Sequence, residues 1–262
     1  MGATSSFLTD PRFSTNLFFP LRTANPPPAG AQDLFVAVAP GVRLHARAHA
    51  ADGAIAVVVL FHGNGEVVPD YDGQARLFAQ AGARLVVVDY RGYGRSEGTP
   101  TLAALIEDAY PALVGICGQL AAELAELPVV VMGRSLGSAC AAELAGRRAP
   151  RAAGFIYESG FADLVAFAGR RGVAVDRVEE ADLALLCPLR KLGRSTAPLL
   201  VLHGESDRVI ACAEGRAAYE ASAAEVKEFV GIPGRGHNDL SADARYWGAM
   251  GRFLRKVAEL AR

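Results

Sequence analysis

The stretch Val129-Val130-Val131-Met132-Gly133-Arg134-Ser135-Leu136-Gly137, followed by Ser138-Ala139-Cys140-Ala141-Ala142-Glu143-Leu144, decides how the chain is read. It is a buried apolar strand, a G-x-S-x-G turn and the start of a helix. The pentapeptide alone occurs by chance in many chains, and its weight comes from the strand before it and the helix after it. A serine that attacks a carbonyl has to stand clear of a sheet on a sharp turn. The strained backbone there brings neighbours so close that positions 133 and 137 tolerate little beyond glycine. The following helix turns its free N–H groups and positive dipole end toward the place where an oxyanion would form. The plain alternative is a glycine-rich strand-to-helix connection without chemistry.

Working outward, residues 34–38 and 42–48 flank Pro40-Gly41 and read as a hairpin of antiparallel edge strands. Residues 55–61 form the first run that is apolar on both faces, the mark of a parallel strand covered by helices, and it ends in His62-Gly63-Asn64-Gly65. A helix over about 71–82 is followed by a strand over 84–89 and the turn Tyr90-Arg91-Gly92-Tyr93-Gly94-Arg95-Ser96-Glu97-Gly98. A long helix from 101 to about 127 then leads through Pro128 into the strand at Val129. Further strands are expected at 153–157, 198–203 and 226–232, and residues 245–260 close as an amphipathic helix with Trp247, Met250, Phe253, Leu254 and Val257 on its apolar face. Strands alternating with helices specify a three-layer α/β fold: a mostly parallel, eight-stranded sheet with helices on both faces. In such sheets the site lies outside the carboxyl ends of the strands.

Residues 1–30 are Pro-rich yet carry Phe13, Leu17, Phe18, Phe19 and Leu21, so they are expected to pack as an arm across a single domain of residues 31–262. Residues 158–197 mix Arg170-Arg171, Glu179-Glu180 and an apolar run over 183–189. They supply a short lid insertion over an open or shallow pocket.

A chain of 262 residues with 51% hydrophobic and 21% charged residues is globular, and none of its apolar runs approaches the ~20 residues that span a bilayer. A formal net charge of -1 gives no electrostatic case for nucleic acid or an anionic membrane surface; it is the motifs below, not the charge, that make a small-molecule or acyl ester substrate the expected partner. Cys117, Cys140, Cys187 and Cys212 are scattered singly and read as reduced thiols in a reducing, cytoplasmic compartment. The N-terminus does not read as a secretion signal. Met1-Gly2-Ala3-Thr4-Ser5-Ser6 fits the loose M-G-x-x-x-[ST] acylation pattern, which means nothing in a cell without the transferase.

Serine is a poor nucleophile at its ordinary pKa. Ser135 therefore needs a general base within hydrogen-bond reach, and the base needs a carboxylate to hold its tautomer. Asp207, in His203-Gly204-Glu205-Ser206-Asp207-Arg208-Val209-Ile210, follows a Val/Leu strand; it competes with Glu205 for that role and with a plain helix-capping role near Val209. His237, in Gly234-Arg235-Gly236-His237-Asn238-Asp239, lies on a flexible turn with little core to satisfy. His45 and His49 fall on an edge strand, and His62 and His203 pack beneath the site. The oxyanion donors are expected to be the backbone N–H of Leu136 and that of Asn64, with Gly65 behind it; loss of one such donor typically costs about 3 kcal/mol. Arg134 either receives an acidic substrate group or pairs with a carboxylate to brace the turn, and the second role is the commoner one. Asp239 caps the final helix or holds its loop.

Together HGNG (62–65), DYRGYGRSEG (89–98), GRSLG (133–137), HGESDRVI (203–210) and GHND (236–239) resemble the α/β-hydrolase family over nearly all of the chain. The resemblance is to the small-lid serine hydrolases similar to protein depalmitoylases and lipid esterases. It implies a catalytic triad of Ser135, Asp207 and His237 and hydrolysis through an acyl-enzyme, without metal or organic cofactor. Depalmitoylases carry an N-terminal cysteine cluster, whereas the first cysteine here is Cys117, so a soluble carboxylesterase or thioesterase is the expectation. The same three residues also permit a serine peptidase or amidase. A binding protein on a hydrolase scaffold, or peroxidase or lyase chemistry, stays open because fold does not fix function.

Overall fold

The apolar runs pair into one sheet in the computed structural model of the protein, which describes residues 6–9, 17–124, 126–172, 175 and 178–262. Among the described residues the strands are β1 (Ala31–Ala39), β2 (Val42–His49), β3 (Ala56–Phe61), β4 (Ala83–Val88), β5 (Val129–Arg134), β6 (Ala152–Glu158), β7 (Leu199–Gly204) and β8 (Lys227–Ile232). Their order across the sheet is β1-β2-β4-β3-β5-β6-β7-β8. β2 runs antiparallel to both β1 and β4, and every other neighbouring pair is parallel. The eight-stranded, mostly parallel sheet of an α/β-hydrolase fold is therefore present.

Alternation along the central strands explains the layers. Val57, Val59, Phe61 and Val131 feed one core, while Val58, Leu60, Val130 and Met132 feed the other. Both faces are apolar because both are covered. On the described chain the helices are α1 (Ser6–Thr9), α2 (Ala75–Gln80), α3 (Leu102–Glu107), α4 (Ala109–Gln119), α5 (Ser138–Gly146), α6 (Leu164–Arg170), α7 (Glu180–Leu186), α8 (Pro188–Leu192), α9 (Cys212–Ala221) and α10 (Ala244–Leu260). Helix α10 buries Tyr246, Met250, Phe253, Leu254 and Val257 against the second core, and the Asp243 side chain caps it by accepting from Arg245 N–H.

Two helices differ from expectation. The long helix over 101–127 is broken at Asp108 into α3 and α4, and beyond Gln119 the chain continues in turns through Leu124. Pro111 in the first turn of α4 cannot donate to the carbonyl of Glu107, and the Asp108 carboxylate is held by Arg91 through two contacts of 2.6 Å. The helix over 71–82 is instead a 3₁₀ turn at Val68–Tyr71, opened by Pro69, followed by α2.

From Leu17 on, the N-terminal segment lies against the sheet domain. Leu17 and Phe18 are buried in the first core, Gly94 N–H donates to Leu21 O, and Arg47 donates to the carbonyl of Asn25 at 2.8 Å. Phe13 and residues 1–5 of the acylation pattern lie outside the described residues. From the 158–197 segment, Phe167 of α6 and Arg171 just after it border the cleft described below.

Candidate active site

The turn after β5 has the strain its sequence predicts. Ser135 sits at φ +50°, a left-handed conformation uncommon for a residue with a Cβ. A Cβ on Gly137 would lie 2.0 Å from the carbonyl oxygen of Phe61, and one on Gly133 would lie 2.3 Å from the carbonyl oxygen of Gly137. Both glycines are required by close backbone approach, and the result lifts Ser135 onto the 3₁₀ turn Ser135–Gly137 ahead of α5.

Two loops from neighbouring strands reach this serine. His237, between β8 and α10, places Nε2 2.9 Å from Ser135 Oγ and Nδ1 2.7 Å from Asp207 Oδ2. Asp207, after β7, has a fully buried side chain, and its Oδ1 accepts from the backbone N–H groups of Val209 and Ile210 at 2.8 and 2.9 Å. Burial alone would raise the Asp207 carboxyl. Hydrogen bonds from His203, His237 and Ile210 N–H outweigh it and hold the group well below the usual carboxylate range. Asp207 is thus a permanent acceptor that fixes the His237 tautomer, with Nδ1 carrying the proton and Nε2 free to accept from the hydroxyl. The competing Glu205 is exposed and makes no such contact. Asp207 does not cap a helix, since α9 starts only at Cys212. Asp239 holds the histidine loop by accepting from Gly236 N–H at 2.7 Å and leaves the capping of α10 to Asp243.

Arg134 braces rather than faces outward. Its guanidinium pairs with Glu66, lies 3.4 Å from Glu158, donates to Asn238 Oδ1 at 2.8 Å and reaches the carbonyl of His237 at 3.3 Å. Burial would lower its pKa, but the Glu66 and Glu158 charges raise it instead. Glu158 itself is pushed up by burial against the opposing pull of Arg134 and a 2.8 Å hydrogen bond from Tyr246. Glu66 also accepts from Gly63 N–H and the Tyr71 hydroxyl, each at 2.7 Å. Glu66, Tyr71, Glu158 and Tyr246 are residues that the sequence reading missed. For Glu158 a signal existed, a charge ending an apolar parallel strand at its carboxyl end; the others come from separate elements with no local mark.

The loop 62–67, after β3, borders Ser135 on the other side. Asn64 and Leu136 both line the cleft. The Asn64 side chain accepts from Phe19 N–H and the Tyr93 hydroxyl. His62 is fully buried beneath, with Nε2 3.3 Å from Asp89, whose other contacts are His45 Nδ1 at 2.8 Å and Val68 N–H at 3.0 Å. His203 is likewise buried, donating to the carbonyl of Ile210 at 2.9 Å.

The cleft that joins these groups has a volume of about 530 Å³. Phe19, Phe167 and Val209 border it, and the buried Leu60, Phe78, Met132 and Leu240 line it together with the more exposed polar Glu66, Asp70, Gln74 and Ser241. Among the described residues no group of three or more His, Cys, Asp or Glu side chains is arranged to hold a metal ion, and no helix is long and apolar enough to cross a membrane.

The sheet order and the strand-turn-helix at Ser135 are those of an α/β-hydrolase fold, and comparisons with known proteins agree on the fold. Residues 52–166 match the family described as serine aminopeptidase, S33. The chain is 32% identical over 240 residues to the uncharacterized protein Rv2307c of Mycobacterium tuberculosis strain H37Rv, an alignment covering 89% of this chain and 82% of the relative. It is 26% identical over 249 residues to the uncharacterized protein YfhR of Escherichia coli K12, covering 89% and 83%. Its fold is similar to that of the Pyrococcus furiosus esterase Pf2001, with a TM-score of 0.72 at 17% identity, covering 90% of this chain and 98% of that one. The chain belongs to one family with Rv2307c and has the α/β-hydrolase fold.

Proposed function

We propose that the protein is a serine hydrolase cleaving carboxylic ester or thioester bonds through an acyl-enzyme intermediate. The observation that carries this reading is the pair of contacts on His237, 2.9 Å to Ser135 Oγ and 2.7 Å to Asp207 Oδ2. In the proposed reaction Ser135 Oγ attacks the carbonyl carbon as His237 Nε2 takes its proton. The oxyanion is met by the N–H groups of Leu136 and Asn64. His237 then returns the proton to the departing alcohol or thiol, and water repeats the sequence to release the acid and restore Ser135.

A serine peptidase or amidase is the second reading, favoured by the aminopeptidase description of the family matching residues 52–166.

Intact mass after incubation with a fluorophosphonate, for wild type and Ser135→Ala, is the direct test. One adduct on wild type, none on the variant, and a loss of ester turnover of about 10⁴-fold or more is the expected outcome. Folded wild type that takes no adduct would point to a binding protein on the same scaffold. Faster turnover of aminoacyl anilides than of p-nitrophenyl esters would favour the peptidase.

A further inference from the structure

Phe19 is a large hydrophobic residue, 52% exposed, at the edge of the cleft. Exposed phenyl rings are common, but this one is held. Its backbone N–H donates to Asn64 Oδ1 at 2.9 Å and to the Tyr93 oxygen at 3.0 Å, and Asn64 Nδ2 donates back to the carbonyl of Leu17. Buried Phe18 anchors it on one side. On the other, Pro20 restricts Phe19 to an extended backbone and the N–H of Gly94 holds the carbonyl of Leu21 at 2.8 Å. A Cβ added at Gly65 would lie 3.9 Å from the Phe19 Cβ, so the residue stands directly over the loop after β3.

Strand order decides which part of a substrate this ring meets. Ser135 follows β5; Asn64 follows β3 on one flank, and Asp207 and His237 follow β7 and β8 on the other. In acyl transfer the leaving group departs on the side of the histidine that protonates it. The flank of Asn64 is left for the oxyanion and the acyl group. We infer that Phe19, on the N-terminal arm, is a specificity-determining residue that forms the apolar wall for the acyl chain of short- to medium-chain esters. This rests on the serine hydrolase reading. The clasp to Asn64 also ties the arm to the loop carrying the proposed second oxyanion donor, so the arm is part of the site and not packing alone.

The test uses the full chain as wild type, F19A and F19W on p-nitrophenyl acetate, butyrate, hexanoate and octanoate, with fluorophosphonate labelling in parallel. A methylene buried against the ring is worth up to about fourfold in binding. In F19A the rise in KM should therefore grow with chain length, from about twofold on acetate to about tenfold on hexanoate, with kcat changing less than KM. F19W should shift the preferred chain to a shorter one. Losses of equal size at every chain length, with the adduct still forming on Ser135, would overturn the role of Phe19 and leave the hydrolase reading standing. No adduct on folded wild type would remove both. Because the ring is half exposed and its tethers are backbone groups, both variants keep the packing of the arm.

Discussion

The two flanks of Ser135 are built by different means. On the elbow side, position follows from backbone shape: Gly133 and Gly137 admit the turn only because they lack a Cβ, and Ser135 is driven to φ +50° as a result. On the histidine side, position follows from charge. Arg134 reaches across from β5 to Glu66, Glu158, Asn238 and the carbonyl of His237, and so fastens the β8–α10 loop to the strand carrying the serine. A sterically built flank cannot relax without moving the sheet. An electrostatic one stands only while its charges stay paired, so the two should fail differently.

Gly137→Ala attacks the first flank. With its Cβ placed 2.0 Å from the Phe61 carbonyl, the turn or the β3–β5 pairing has to move, and a loss of about 4 kcal/mol or more in chemical denaturation is expected, at the exceptional end for a single methyl group. A loss below about 1 kcal/mol would show that the elbow can relax. Arg134→Gln attacks the second flank. It strands Glu66 and Glu158 without their cation, at a cost of about 3 kcal/mol near neutral pH. The sign with pH is opposite to that of an ordinary ion pair. Glu158 is already raised by burial, and without Arg134 it rises further above its unfolded value. The penalty is therefore present at high pH and relieved as pH falls and the carboxyl takes a proton. Denaturation from pH 8 to pH 5 should show the deficit shrinking, and kcat should fall more than KM rises because His237 loses its brace. A deficit that stays constant with pH would mean that the carboxylates are not the cause.

The same difference explains what could be read in advance. The sheet was legible because each central strand is an unbroken apolar run, such as residues 55–61 and 129–132, and the elbow because steric demand leaves a local pattern of glycines. Placement of Ser135, Asp207 and His237 at carboxyl ends of strands followed from chain order and strand spacing; their roles in chemistry remain our proposal. The bracing of the turn by Arg134 was legible in kind but its partners Glu66 and Glu158, and the Tyr71 and Tyr246 hydroxyls that hold those carboxylates, were not, because they come from separate parts of the chain that only the fold joins. The break at Asp108 escaped because Pro111 is tolerated in a first helical turn, and the contact that draws Asp108 aside comes from Arg91, in another loop. Phe19 carried no motif at all.

Asp89 qualifies the contrast, because it brings a charge to the sterically built side. It is fully buried, accepts from Val68 N–H and from His45, and lies beside His62, so it grips the loop 62–67 at both ends. Burial would raise its pKa, yet the hydrogen bonds from His45 and His62 and from Val68 N–H bring it from 3.8 down to about 2. A carboxyl lowered on folding stabilises the folded state above its unfolded pKa and loses that contribution as pH falls through its folded one. Here the window runs from about pH 4 to about pH 2 and is worth about 2 kcal/mol. Urea midpoints across that range should fall more steeply for wild type than for Asp89→Asn, which lacks the titrating group and starts from a lower stability at pH 5. If the two proteins lose stability in parallel, the acid limb belongs to other carboxylates, and the elbow flank is held by backbone shape without help from charge.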